Sequence, residues 1–188
     1  MSAPVFLFPT PVLSHDDLVE FGRKWLFDHE KCPVVLTEPK HGQLPECPDV
    51  IGFNYCGGST LIECKVSRAD FLADAKKSFR KLPQMGMGTN RWYLCSEGII
   101  TEGDLPIAWG LLVVRDDRYG RHVAKVREAL PQESNAHAER MILTHLVRRG
   151  IVRTDKGVNI RVFLPLETEK PSAMKQTVSV RPFQEAIL

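Results

Sequence analysis

Leu18, Phe21, Trp25 and Leu26 recur at helical intervals, which predicts an amphipathic helix from about His15 to Glu30. Ser14 stands where an N-cap belongs, and Asp16 and Asp17 suit the positive end of that helix. Pro33 ends it. Val34 to Leu36 reads as a short strand, and Glu38 to Cys47, with Pro39, Gly42 and Pro45, as a loop. A second strand runs from Pro48 through Asp49 and Val50 to Phe53, a turn covers Cys56 to Ser59, and a third strand covers Thr60 to Val66. The second and third strands form a predicted hairpin.

After Ser67 the period lengthens. Phe71, Leu72, Ala75 and Phe79 predict one amphipathic helix ending before Pro83, with Ser67 and Asp70 as its N-cap pair. Met85 to Gly88 reads as a flexible loop, Trp92 to Cys95 as a strand and Trp109 to Val114 as a buried strand. Asp116 to Gly120 is a turn, from which His122 to Val126 pairs back. A helix over Asn135 to Arg149 stops at Gly150, and Ile151 to Leu164 forms a last irregular hairpin. This order describes a mixed α/β sandwich. Residues 1–13 read as an extended segment with three prolines, 14–166 as one domain and 167–188 as a polar tail.

Composition narrows the class. A length of 188 residues suits one domain, and 43% hydrophobic with 26% charged residues excludes wholesale disorder. The longest apolar run, Ile107 to Val114, is eight residues against the ~18 of a membrane helix. The apolar start has no Lys or Arg before Arg23, so it fits neither a secretory signal nor a transit peptide. A cytoplasmic protein without membrane attachment is expected. The five cysteines never adopt a C-x-x-C spacing and read as reduced thiols. A zinc site from Cys32, His41, Cys47 and Cys56 matches no finger spacing.

The net charge of +2 demands no polyanionic partner, but its distribution does more. Lys65 to Lys81 holds six Lys or Arg against two Asp. Arg68, Lys76, Lys77 and Arg80 in this stretch are candidate phosphate-binding cations, with the solvated face of a helix as the plain alternative. Trp92 and Tyr93 are candidate base-stacking rings, although in a strand one of them must face the core. His137 and His145 read as structural histidines on the last helix.

The chemistry gathers on the hairpin. Alternation puts Glu63 and Lys65 on one face of the third strand and Cys64 on the other, while pairing brings Asp49 beside that face. Two carboxylates converging with a lysine suit a hard Mg2+ or Mn2+ ion, and the Cys64 carbonyl offers a further oxygen. Against this stands the plain reading of a Glu-x-Lys triplet as a weak surface ion pair.

Pro48-Asp49 followed by Glu63-Cys64-Lys65 resembles the PD-(D/E)XK nuclease superfamily. Leu61 to Asp74, with Ser67-Arg68-Ala69-Asp70-Phe71 after the motif strand, is similar to the MmcB-type DNA-repair nucleases. The likeness extends less tightly over roughly residues 14 to 150. It implies a restriction-endonuclease-like fold, a mixed central sheet flanked by helices with an αβββαβ core. It also implies a Mg2+- or Mn2+-dependent deoxyribonuclease acting in DNA repair or on phage and mobile-element DNA. Asp49 and Glu63 would hold the metal with the Cys64 carbonyl, Lys65 would activate water, and Glu20 on the first helix would complete the acidic cluster. Double-strand cutting by a small nuclease often needs two sites, which leaves room for a homodimer, but nothing in the sequence argues for one. A non-cleaving module on the same fold, binding nucleic acid or an unidentified protein partner, is the rival expectation.

Overall fold

The computed structural model describes residues 13–39, 44, 46–118 and 120–148. Its first helix, α1 (His15–Asp28), begins with a capping box: the Ser14 hydroxyl accepts the Asp17 N–H, and the Asp17 carboxylate accepts the Ser14 N–H. Three strands follow, β1 (Val34–Thr37), β2 (Val50–Phe53) and β3 (Ser59–Lys65). Then come the short helices α2 (Arg68–Asp74) and α3 (Ser78–Lys81), and the strands β4 (Asn90–Ser96), β5 (Trp109–Asp117) and β6 (Gly120–Arg127). Helix α4 (Ala136–Arg148) is the last described element.

The strands form one sheet in the order β1-β2-β3-β4-β5-β6. β1–β2, β2–β3 and β5–β6 pair antiparallel, whereas β3–β4 and β4–β5 pair parallel. The chain is thus a mixed α/β protein with helices against its sheet. Each parallel pair needs a crossover, and α2 with α3 lies in the one joining β3 to β4.

Alternation along β3 and β4 divides the sheet into two unlike faces. Ile62, Cys64, Trp92 and Leu94 turn toward α1, where they join Leu18, Trp25 and Leu26 in the apolar core. Burying a side chain of that size contributes roughly 2 kcal/mol, which fixes the register of the whole hairpin. The opposite set includes Glu63, Lys65 and Tyr93. There Tyr93 stacks on Trp109 at 4.4 Å and meets Phe71 of α2 edge-on at 5.0 Å. Both Trp92 and Tyr93 are fully buried, so neither is a base-stacking platform.

The predicted single helix over 71–82 is broken. α2 stops at Asp74, and Lys77 is extended (φ −65, ψ 136) before α3 begins. This break returns Arg80 to Asp74, with Arg80 Nε 2.7 Å from Asp74 Oδ2. A buried carboxylate meeting a buried guanidinium outweighs the propensity to continue the helix.

The chain divides into two units, Met1–Ala136 and His137–Leu188, and α4 from His137 onward is the described part of the second. The expected hairpin over 151–164, the tail from 167 and the first twelve residues lie outside the described residues. Among the described residues, no helix is long and apolar enough to cross a membrane.

Candidate active site

The last β2–β3 pair is Val50↔Ile62, and one further step in that register sets Asp49 opposite Glu63. Residues directly opposite on antiparallel strands share a face. Asp49 is fastened there: its Oδ2 accepts the Cys64 N–H at 2.7 Å. Lys65 Nζ donates to Glu63 Oε2 at 3.0 Å. Asp49, Glu63 and Lys65 therefore meet at one end of the sheet, where β2 starts and β3 stops. Cys64 contributes only its backbone, since its thiol is buried among the α1-facing residues.

Around this trio lies a buried ionic network. Asp74 receives Arg80 Nε at 2.7 Å, Lys77 Nζ at 2.7 Å, the Tyr93 hydroxyl at 2.9 Å and Lys65 Nζ at 3.5 Å. Arg80 also reaches Glu63 Oε1, at 2.8 Å, and pairs with Glu46. The second oxygen of Glu46 accepts the Met87 N–H at 2.6 Å, tying the glycine- and methionine-rich loop to the same cluster.

Burial opposes every charge here, so its partners decide the outcome. For Asp74, burial is outweighed by Arg80, Lys65 and Lys77, and its carboxyl is held far below the usual range. Burial also works against Lys65, yet Glu63 and Asp74 keep the amine above its ordinary value. Arg80 is raised for the same reason, with Glu63, Glu46 and Asp74 as its anions. Tyr93 is pushed well up by burial and by Asp74. Glu46 is raised, because burial exceeds the help it gets from Arg80. Asp49 is raised as well: burial and Glu63 lift it to about 6, against the pull of the Cys64 N–H, Lys65 and His15.

These features fit a hard divalent cation. Asp49 is a carboxylate that burial and a like charge make costly to ionise, and the buried Glu63 Oε1 accepts no hydrogen bond despite the nearby Arg80. All the donors are oxygens, the type that suits Mg2+ and Mn2+. The site would use two carboxylates and the Cys64 carbonyl. Among the described residues, no group of three or more His, Cys, Asp and Glu side chains is arranged to hold a metal.

Several expectations change. Glu20 stays out of the cluster: it is half-exposed, paired with Arg23 at 2.7 Å and Lys24 at 3.3 Å, and these bring its carboxyl down to about 2. The α1 residue that approaches Asp49 is His15, whose Nε2 lies 3.6 Å from Oδ1. Arg80 is no surface phosphate binder, because its side chain is buried against three carboxylates. Lys77 is half-exposed but committed to Asp74, and Arg68 makes a two-armed pair with Asp104 at 2.5 Å. Lys76 is exposed. Of the conceivable zinc set, His41 lies outside the described residues, and none of the five cysteines is joined in a disulfide.

His15, Glu46, Asp74 and Tyr93 escape the motif. Asp74 left a signal, since it sits three residues after the core residue Phe71 and so shares the buried side of α2. Glu46 and His15 left none, because their places depend on a loop and on a helix start.

No family model and no curated protein matches this chain. Among solved structures, the chain is similar to a protein of unknown function from Silicibacter pomeroyi. The TM-score is 0.52 with 24% identity, over 74% of this chain and 90% of that one. The likeness concerns the fold alone.

Proposed function

We propose that this protein is a Mg2+- or Mn2+-dependent nuclease of restriction-endonuclease-like architecture that hydrolyses DNA phosphodiester bonds. The observation that carries the reading is the convergence of Asp49, Glu63 and Lys65 at one sheet end. Asp49, Glu63 and the Cys64 carbonyl would hold the cation. A bound divalent ion supplies polarisation of the phosphodiester and a lowered pKa for a coordinated water. Lys65 is held charged, so it offsets negative charge developing on the phosphate and orients the attacking water. Asp74 and Arg80 keep Lys65 and Glu63 in place during the in-line attack. DNA repair in the cytoplasm, or the processing of phage and mobile-element DNA, is the setting this chemistry serves.

One observation favours a non-cleaving, nucleic-acid- or partner-binding module: both Glu63 oxygens already face cations, Lys65 and Arg80. The two readings separate in one experiment. Purified protein is incubated with single-stranded, duplex and branched DNA in Mg2+, Mn2+ or EDTA, beside Lys65→Ala and Glu63→Ala. Metal-dependent cutting that both variants lose supports the nuclease and names its substrate form. Binding without cutting, unchanged in the variants, sinks the enzyme reading.

A further inference from the structure

Toward α1 and β1 the ionic cluster opens to solvent. Side-chain exposure rises from 1% at Asp74 to 18% at Asp49, 37% at His15 and 46% at Glu38. His15 therefore stands at the mouth. The capping box fixes it in the first turn of α1, and its Nε2 lies 3.4 Å from Glu38 Oε1 and 3.6 Å from Asp49 Oδ1. The other oxygen of Asp49 is tied to the Cys64 N–H. Glu38 completes the arrangement from the end of β1: its N–H donates to the Asp49 carbonyl at 2.9 Å. Its backbone adopts φ 43, which non-glycine residues seldom occupy.

We infer that His15 is the positioning residue through which α1 joins the site, orienting Asp49 toward a divalent cation in the place the family resemblance gives to Glu20. The inference rests on the proposed nuclease site for the cation, but not on catalysis. A carboxylate gripped at one oxygen by a backbone amide still rotates about that contact. An imidazole beside the other oxygen removes the freedom. Groups that orient ligands in this way commonly govern affinity by 10–100-fold. The same Nε2 faces Glu38 Oε1 as well as Asp49 Oδ1, so the imidazole bridges the two acids at the mouth.

The test is calorimetric titration of the full chain with Mn2+, using wild type, His15→Ala, His15→Gln, Glu20→Gln and Asp49→Asn, with thermal unfolding of each. Asp49→Asn should abolish binding. His15→Ala should weaken it about tenfold without lowering the unfolding temperature. His15→Gln, which keeps a donor of similar reach, should recover most of the loss, and Glu20→Gln should match wild type. If His15→Ala binds like wild type while Asp49→Asn does not bind, the role of His15 falls and the metal site stands. A loss that His15→Gln fails to recover, or an equal loss in Glu20→Gln, also overturns it. Absence of Mn2+ binding in wild type, or binding untouched by Asp49→Asn, removes the metal site and this inference with it.

Discussion

Asp49→Asn should make the metal-free protein more stable at neutral pH, not less. Burial and the charge of Glu63 raise the Asp49 carboxyl from 3.8 to about 6. A folded-state pKa above the unfolded one means that the fold prefers the protonated acid. That contribution is complete below about pH 4 and is lost as pH rises through about 6. One pKa unit corresponds to 1.36 kcal/mol, so ionised Asp49 costs the fold about 3 kcal/mol at pH 8. Its side chain is only 18% exposed, so solvent screening takes little from that figure. Asparagine keeps an oxygen to accept the Cys64 N–H and never ionises. Urea unfolding in EDTA should therefore show the variant ahead of wild type at pH 8 by up to about 3 kcal/mol. The gap should shrink to about 1 kcal/mol by pH 4.5 and close below about pH 4, where the carboxyl is protonated in the unfolded chain as well. Mn2+ should raise the wild-type midpoint and leave that of the variant unmoved, because a cation relieves what the substitution has already removed. A variant less stable than wild type at pH 8, or a gap independent of pH, would refute the electrostatic account of the site.

Two further substitutions test the surroundings. Arg80→Ala strips the shared partner from Glu46, Glu63 and Asp74, and should cost about 3–5 kcal/mol at pH 8. The loss should shrink near pH 5 as the abandoned carboxylates take up protons, and urea midpoints at the two pH values measure this. Gly110→Ala should cost about 3 kcal/mol, because a Cβ there would lie 2.2 Å from Trp92 Cε3 and 2.8 Å from the Ala129 nitrogen. A thermal midpoint equal to wild type would show that β5 and Trp92 are less closely packed than described.

What the sequence made legible was whatever depends on short-range periodicity. The strands around Pro48-Asp49 and Glu63-Cys64-Lys65 are placed within a residue or two, and alternation correctly puts Glu63 and Lys65 together and Cys64 opposite. The α1 stripe and its cap are equally local, and they appear as read. Three expectations differ because the sequence does not reveal the partner. Helical spacing predicts an unbroken 71–82 helix, the charge run predicts Arg80 at the surface, and the family resemblance assigns Glu20 to the acidic cluster. Glu20 pairs with its own helix neighbours, and Arg80 pairs with Glu46, 34 residues earlier. Period alone does not reveal that a charged residue faces inward, because the pattern of an amphipathic helix assigns charge to solvent.

The direction of β3 relative to its neighbours explains why these groups meet. β3 runs antiparallel to β2 and parallel to β4, so the start of β2 and the ends of β3 and β4 share one sheet end. Asp49 and Lys65 lie at that end, and α2 and α3, in the crossover to β4, return Asp74, Lys77 and Arg80 to Glu63 and Lys65. Stability gives little reason for this choice of side chains. Replacing a buried ion pair by packed apolar residues is often neutral or favourable by about 1–4 kcal/mol. The network instead brings Glu46, Asp49, Glu63 and Asp74 together with Lys65, Lys77 and Arg80, four carboxylates with three permanent cations. The missing positive charge registers at the buried Glu46 and at Asp49, and Asp49 is the most exposed of the carboxylates around Lys65. A network that served only to hold the fold would gain nothing from a costly acid at its more exposed edge, whereas the proposed cation site would.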